Sequence, residues 1–160
     1  MISEKDMEHL ERCAKLAREA LDDGNDPFGS LLVDQEGRVR KEDYNRVSGG
    51  DPTQHPEFAL ARWAAEHMTP DERAQATVYT SGEHCPMCAA AHAWVGLGRI
   101  VYASSSAQLS EWMRELGAAP SPVRNLAIPD VIRDAQVDGP APELSDSIKA
   151  LQIEAYRRNK

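Results

Sequence analysis

The sequence predicts an α/β protein: a three-layer α/β/α sandwich, with helices on both faces of one mixed central sheet. Two observations predict it. Amphipathic helical segments alternate with short apolar strands, and 41% hydrophobic with 28% charged residues is an ordinary balance for a globular chain. The 160 residues suffice for one domain with its own core, and no internal repeat divides them. We therefore expect a single domain over residues 1–160.

The N-terminal segment has the apolar spacing of an amphipathic helix. Ser3, with an acid three residues later at Asp6, predicts a capped start, and Gly24 predicts the end. Cys13 falls within the apolar stripe, so we expect it to be a small buried side chain. The residues that recur at steps of three and four are Met7, Leu10, Ala14, Ala17 and Leu21.

A β-hairpin and a loop are predicted next. Residues 28–33 form an apolar, partly β-branched run, Gly37 marks a turn, and a weaker strand continues toward Tyr44. Residues 45–54 contain a Gly-Gly pair and an Asp-Pro pair, both of which favour turns. We therefore expect this stretch to be a loop between the hairpin and the next helix.

Two prolines mark the predicted starts of the central helices. Pro56 suits the first helical position, where no backbone N–H is needed, so His55 would cap the helix and Glu57 would lie in its first turn. Residues 76–80 read as a strand. Pro86 then begins a second helix in the same way, with a C-x-x-C pair on either side of its start.

The C-terminal part continues the alternation less clearly. Residues 100–103 are predicted to form a strand and residues 109–116 a helix. Residues 118–142 are rich in proline, and within them we expect residues 126–132 to form an edge strand. Residues 144–155 have the apolar spacing of a final amphipathic helix.

His55, Cys85 and Cys88 are candidate metal ligands, and Glu57 is a candidate general acid/base. One imidazole and two thiolates suit zinc, and three protein ligands leave a fourth position open, as in catalytic zinc sites. Glu57 is too close to His55 in sequence to serve well as a fourth ligand, but it can move protons beside the metal. A C-x-x-C pair alone would also fit a redox dithiol, which does not call for a His-x-Glu pair upstream.

Charge and cysteine content narrow the class of protein. The net charge of −8 argues against a nucleic-acid partner, because binding a polyanion requires lysine and arginine to neutralise phosphates. No apolar run reaches the length of a membrane span, and the polar N-terminus is unlike a signal peptide. Three cysteines, two of them assigned to metal, argue against a disulfide framework. We therefore expect a cytoplasmic protein with no membrane association.

The same residues carry a resemblance to a known family. The order His-x-Glu, then Pro-Cys-x-x-Cys about 30 residues later, is typical of zinc deaminases. The chain resembles the cytidine deaminase-like superfamily, in the branch of guanine, cytosine and tRNA adenosine deaminases. The resemblance covers roughly residues 1–105, and residues 118–160 form a variable C-terminal segment. The matching stretches are residues 26–33, 45–47, 51–57, 85–88 and 98–103.

The resemblance implies an activity and a set of partners. We expect one Zn²⁺ per chain and hydrolytic deamination of a small aminated heterocycle, with release of ammonia. Guanine or a related nucleobase or nucleoside is the expected substrate, and relatives of this kind form homodimers. The substrate could also be another aminopurine, a pterin-like or triazine ring, or cytosine.

Four further residues are candidates for substrate binding. Asn45 matches an asparagine that contacts the substrate in similar deaminases, although a turn asparagine is nearly as good an interpretation. Trp94 is predicted either to border the pocket by stacking or to lie in the core. Phe28 is a candidate for the pocket floor, with core packing as the alternative. His84 stands where relatives usually have proline, and it could contact substrate or the metal surroundings, or be exposed.

Two other interpretations remain open at the level of function. One is a tRNA adenosine deaminase or a cytosine/cytidine deaminase. The acidic net charge and the lack of a basic tail both argue against the tRNA-editing enzyme. The other is a non-catalytic zinc protein that has kept the fold, for which Glu57 would have no purpose beyond its interaction with the helix dipole.

Overall fold

The computed structural model describes residues 1–159, which form one mixed sheet surrounded by helices. None of the helices in this part of the chain is both long and apolar enough to cross a membrane. In chain order the elements are α1 (Glu4–Asp22), β1 (Gly29–Val33), β2 (Val39–Tyr44), α2 (Pro56–His67), α3 (Pro70–Gln75), β3 (Thr77–Gly82), α4 (Pro86–Trp94), β4 (Ile100–Ser104), α5 (Ser106–Glu115), β5 (Val137–Asp138) and α6 (Pro142–Arg158).

The sheet has five strands in the order β2-β1-β3-β4-β5. β1 runs antiparallel to both β2 and β3, whereas β3, β4 and β5 are parallel to one another. The parallel pairs need crossover connections, which the intervening helices provide. The predicted mixed sheet and its hairpin are therefore confirmed.

Helices cover both faces of this sheet, as predicted. Because side chains alternate along a strand, Leu31 and Val33 of β1 pack with α1, α5 and α6, whereas Leu32 packs with α2. All five residues of β1 are buried, which matches its position inside the sheet between two helical layers. The face toward α2 and α4 is the one that carries the candidate site.

The first helix is fixed to the sheet at its start and along its length. Ser3 and Asp6 form the predicted capping box, with the Asp6 N–H donating to Ser3 Oγ at 3.1 Å and the Ser3 N–H donating to Asp6 Oδ2 at 2.9 Å. Farther along, Gly29 of β1 lies so close to α1 that a Cβ there would stand 2.4 Å from Leu16 Cβ. Glycine is required at this position for the helix and strand to approach.

The prediction of an edge strand at residues 126–132 is wrong. That stretch contains a 3₁₀ turn at Ile128–Asp130, and the fifth strand is Val137–Asp138. A proline inside the turn removes one ladder donor, and the Ile128 N–H donates instead to Glu83 Oε2 at 2.8 Å. Ile128, Val131 and Ile132 of this stretch pack against α4 and β4 rather than forming a strand, and Leu126 is 43% exposed. The short helix α3 was not predicted.

Candidate active site

Two helix starts bring the predicted metal ligands together. His55 is the N-cap of α2, and Cys85 is the N-cap of α4, with a proline at the first helical position in each case. β3 ends at Gly82, three residues before Cys85, so the site lies beyond the carboxyl end of a central strand. Free N–H groups and the dipole at a helix start stabilise negative charge, which favours thiolates here.

The three ligand atoms form a nearly equilateral triangle. Cys85 Sγ lies 3.5 Å from His55 Nδ1 and 3.6 Å from Cys88 Sγ, and Cys88 Sγ lies 3.6 Å from His55 Nδ1. In a tetrahedral zinc site with bonds of about 2.0–2.3 Å, neighbouring ligand atoms are about 3.5–3.8 Å apart. The triangle therefore has the size of one face of a zinc coordination tetrahedron and leaves one vertex for a fourth ligand.

The charges of the three residues also suit a divalent cation. The contacts from Cys88 and His55 lower the pKa of Cys85 to about 4, while the contact with Cys85 and burial raise the pKa of Cys88. Two thiolates this close repel each other, so one sulfur keeps its proton unless a cation lies between them. Two thiolates and a neutral imidazole would balance the charge of Zn²⁺, and His55, Cys85 and Cys88 are thus positioned to bind a metal ion.

Glu57 lies in the first turn of α2 and is 6% exposed. Burial raises the pKa of its carboxyl group, and the hydroxyl of Ser30 offsets part of that effect. Its Oε1 atom accepts hydrogen bonds from Ser30 Oγ at 2.8 Å and from Thr80 Oγ1 at 2.9 Å. Within residues 1–159, no protein group donates to Oε2, so that oxygen is the one available to a reactant.

Sequence reasoning missed Ser30 and Thr80. Both are fully buried on neighbouring strands, where Ser30 of β1 pairs directly with Thr80 of β3. The signal that could have found them is a hydroxyl residue in each of two otherwise apolar strands, since a buried polar group needs a partner. That signal says only that a partner exists and does not identify Glu57.

Asn45 is buried and shapes the loop that follows β2. Its side-chain Oδ1 accepts hydrogen bonds from the backbone N–H groups of Asp26 at 3.3 Å and Val47 at 3.1 Å. Its backbone N–H donates to Phe28 O at 3.0 Å. The Oδ1 atom of Asn45 therefore stabilises the turn, as the alternative interpretation expected. Contact of its side-chain nitrogen with substrate stays a prediction.

Phe28 is half-buried next to Gly82, the last residue of β3, and its contact with substrate stays a prediction. A Cβ added at Gly82 would stand 3.1 Å from Phe28 Cε1, so the ring packs over the end of β3. Asp26, two residues earlier, has a carboxylate with no hydrogen-bond partner in the described part of the chain. Burial raises the pKa of Asp26, and the nearby His55 opposes that shift. This unpaired acid was also missed by sequence reasoning.

His84 is buried, so the interpretation as an exposed residue is wrong. Its ring is 1% exposed, neither nitrogen has a hydrogen-bond partner within residues 1–159, and it meets the His92 ring edge-on with centroids 5.4 Å apart. Burial, followed by the neighbouring His92, holds the pKa of His84 well below its usual range. The Nε2 atom of His92 lies 2.7 Å from Gly98 O, whereas its Nδ1 atom has no hydrogen-bond partner within the same residues.

Trp94 is not part of the core. Its side chain is 89% exposed at the C-terminal end of α4. Trp94 is the ninth residue after Cys85, which places it about 13 Å farther along the helix axis. The structure therefore does not bring Trp94 together with the metal ligands within this chain, and any contact with substrate stays a prediction.

The fold and the site place the chain among zinc-type deaminases. The chain belongs to the family described as the cytidine and deoxycytidylate deaminase zinc-binding region, whose profile matches residues 3–104. That span contains His55, Glu57, Cys85 and Cys88, and it agrees with the extent of the resemblance seen in the sequence. Membership of this family supports the expectation that the protein is a hydrolytic deaminase.

Known relatives differ in their substrates. A probable cytosine deaminase of Schizosaccharomyces pombe is 34% identical over 119 residues, 74% of this chain and 72% of that protein. A guanine deaminase of Bacillus subtilis is 33% identical over 104 residues, 64% of this chain and 66% of that protein. A tRNA-specific adenosine deaminase of Haemophilus influenzae is 31% identical over 104 residues, 64% of this chain and 60% of that protein.

A solved structure supports the fold. The guanine deaminase from Nitrosomonas europaea gives a TM-score of 0.70 at 18% identity, covering 98% of this chain and 86% of that one. At this level of identity the likeness concerns the fold alone. It extends over the C-terminal helix α6 as well as the part that carries the site.

Proposed function

We propose that this protein is a zinc-dependent hydrolase that deaminates a small aminated heterocycle, guanine or a related nucleobase or nucleoside. The observation that carries the proposal is Glu57. Its carboxylate is buried next to three metal-ligand side chains, and one of its oxygens has no protein partner within residues 1–159. A general acid/base in that position suits hydrolysis better than it suits a structural zinc site.

The chain's own residues supply the proton transfers. His55, Cys85 and Cys88 would hold one Zn²⁺ per chain, which supplies the Lewis acidity that makes a nearby water a better nucleophile. Glu57 accepts a proton from the water whose oxygen adds to the amino-bearing ring carbon. Glu57 then delivers that proton to the adjacent ring nitrogen, takes the second proton from the added hydroxyl group and passes it to the amino group, which leaves as ammonia. The ring carbon ends as a carbonyl, so water is consumed and ammonia released.

Observations on this chain bear on three alternatives. A tRNA adenosine deaminase stands among the relatives, but a net charge of −8 opposes binding of a polyanion. Cytosine or cytidine remains a second candidate substrate, because a probable cytosine deaminase covers the larger share of this chain. A non-catalytic zinc protein would have no need of a buried carboxylate with raised pKa beside the ligands.

We propose a homodimer in which the exposed Trp94 contributes to the contact, and a cytoplasmic protein, consistent with three free cysteines. A contribution of Trp94 to a substrate pocket would then come from across the subunit boundary.

The test is ammonia release by zinc-loaded protein. The panel contains guanine, cytosine, adenine, their nucleosides, pterins and aminotriazines, with an unmodified tRNA assayed separately for inosine. We expect turnover of one class of ring, and a loss of at least about 100-fold in kcat for Glu57→Gln with zinc content unchanged.

The matched control is Glu66→Gln, an exposed acid on the same helix, which should behave as wild type. Full activity in Glu57→Gln would contradict the assigned role. Inosine in tRNA without turnover of any free ring would favour the editing alternative. Zinc binding without turnover of any substrate would favour the non-catalytic one.

A further inference from the structure

We propose that Ser30 and Thr80 are positioning residues that hold the Glu57 carboxylate in one orientation and aim Oε2 at the reactants. The inference rests on the proposed function and deepens it. The two hydroxyl groups are called here the hydroxyl clamp. They act through Glu57 and do not themselves touch the substrate.

The hydroxyl clamp contacts only one of the two carboxylate oxygens of Glu57. Both of its hydrogen bonds to Glu57 go to the same oxygen, Oε1, at 2.8 Å from Ser30 Oγ and 2.9 Å from Thr80 Oγ1. The two hydroxyl oxygens are themselves 2.9 Å apart, as directly opposed residues on adjacent strands. Ser30 and Thr80 have no exposed surface, so water does not compete for these hydrogen bonds.

Apolar packing alone does not call for hydroxyl groups at these positions. Ser30 shares the α2-facing side of β1 with Leu32, and Thr80 shares that side of β3 with Val78, both of which are core residues. Apolar side chains at positions 30 and 80 would continue the same packing. Polar groups in a buried strand carry a desolvation cost that only their partners offset, and the shared partner is Glu57.

The two hydroxyls are not equivalent. Thr80 Oγ1 also lies 2.9 Å from Gly82 O, which can only accept, and a hydroxyl has one hydrogen to donate. When Thr80 donates to Gly82, Ser30 is the remaining donor to Glu57 Oε1. We therefore expect Ser30 to contribute more than Thr80. Losing the hydroxyl clamp frees the carboxylate to rotate, so fewer molecules hold Oε2 in the productive position.

The experiment compares Ser30→Ala, Thr80→Val and the double variant with wild type. The substrate is the one identified by the ammonia panel, and kcat, KM and zinc content are measured separately. We expect kcat to fall about 10–100-fold in Ser30→Ala and in the double variant, with KM and zinc content unchanged. Thr80→Ser, which keeps the hydroxyl, should recover most of the kcat that Thr80→Val loses.

Ser104→Ala is the matched control. Ser104 is a buried serine of the same sheet, and its hydroxyl donates to Ser81 O at 2.8 Å without touching Glu57. It should retain wild-type kcat. An unchanged kcat in the double variant would overturn the inference. So would an equal loss of kcat in Ser104→Ala, because the effect would then be one of general stability.

Crystal structures of the zinc-loaded wild type and the double variant give a readout that needs no turnover. We expect the Glu57 carboxylate to rotate when both hydroxyls are removed. An unchanged Glu57 torsion in the double variant would overturn the hydroxyl clamp even if the wild type deaminated nothing in the panel. An inactive wild type whose Glu57 does rotate in the double variant would refute the proposed function and leave the positioning role intact.

Discussion

At the scale of single residues, burial and contacts separate the three cysteines into two kinds. Cys85 and Cys88 face His55 in a triangle of metal-ligand size, whereas Cys13 is fully buried among apolar side chains of α1 and the sheet. Burial raises the pKa of Cys13 far above its ordinary value, so it is an unreactive thiol. One cysteine of this chain is thus a natural control for the other two.

We expect Cys88→Ser to lose zinc and Cys13→Ala to keep it. Serine is a poor zinc ligand because its hydroxyl does not ionise near neutral pH, and two remaining protein ligands hold the metal weakly. Metal analysis after dialysis should give about one zinc per chain for wild type and for Cys13→Ala, and well below that for Cys88→Ser. Equal zinc content in all three proteins would place the metal elsewhere.

The residues of the site differ in how far the sequence could reveal them. His55, Glu57, Cys85 and Cys88 were predictable because metal ligation and proton transfer require particular side-chain types at a particular spacing. Ser30 and Thr80 were not, because a hydroxyl residue in a strand has no spacing rule, and its partner 27 or 23 positions away appears only in the fold. Trp94 was predicted to lie at the pocket or in the core, but it is exposed. The presence of a tryptophan in a helix does not by itself indicate whether it faces the core or the solvent.

At the scale of elements, α1 is joined to the sheet by a buried charge as well as by apolar packing. Asp6 accepts hydrogen bonds from Tyr79 Oη at 2.6 Å and from both terminal nitrogens of Arg99 at 3.0 and 2.9 Å. These contacts link the first turn of α1 to β3 and to the residue before β4. Burial alone would raise the pKa of Asp6, but the hydrogen bonds from Arg99, Ser3 and Tyr79 outweigh it and hold that pKa well below its usual range.

Asp6→Asn should therefore lower the free energy of unfolding by about 2–3 kcal/mol at pH 7. A depressed pKa in the folded state contributes stability above the pKa of an unfolded aspartate, about 3.9, and loses it as the pH falls further. The difference between wild type and Asp6→Asn should shrink below about pH 4. Urea unfolding near pH 7 and near pH 3 measures it.

The control for this prediction is Glu8→Gln, an exposed acid on the same helix that pairs with Lys5. It should change stability little at either pH, because exposed ion pairs contribute little. A difference between wild type and Asp6→Asn that is the same at both pH values would mean that the effect comes from packing and not from the charge of Asp6.

The elements themselves were predictable where pattern and local chemistry agreed. Capping by Ser3, proline at the first position of α2 and α4, and the apolar run of β1 all gave the right element because each acts within a few residues of sequence. The prediction for residues 126–132 failed because Ile128, Val131 and Ile132 are held by tertiary contacts in the cluster that contains Ala89 and Ile100. No local periodicity distinguishes such a segment from an edge strand.

At the scale of the whole molecule, charge and exposed surface bear on assembly. Two chains of net charge −8 repel each other, so a stable contact between copies must rely on apolar surface. Trp94 is 89% exposed, whereas every other Phe, Tyr and Trp side chain among residues 1–159 is buried or partly buried. Trp94 also ends the helix that carries Cys88. A tryptophan is among the residues most enriched at the energetic centre of interfaces.

Trp94→Glu should convert the proposed dimer into a monomer, because a charge would have to be buried where the proposed contact places an aromatic ring. Sedimentation velocity over a range of protein concentrations measures this, with Val39→Glu as control, since Val39 is a 45% exposed apolar residue of the edge strand β2.

If Trp94→Glu is monomeric, keeps its zinc and loses kcat, the pocket is completed by the partner. If it is monomeric and fully active, each chain holds a complete site. A wild type that is monomeric at every concentration, or a Trp94→Glu protein with the same mass as wild type, would refute the role of Trp94 in assembly.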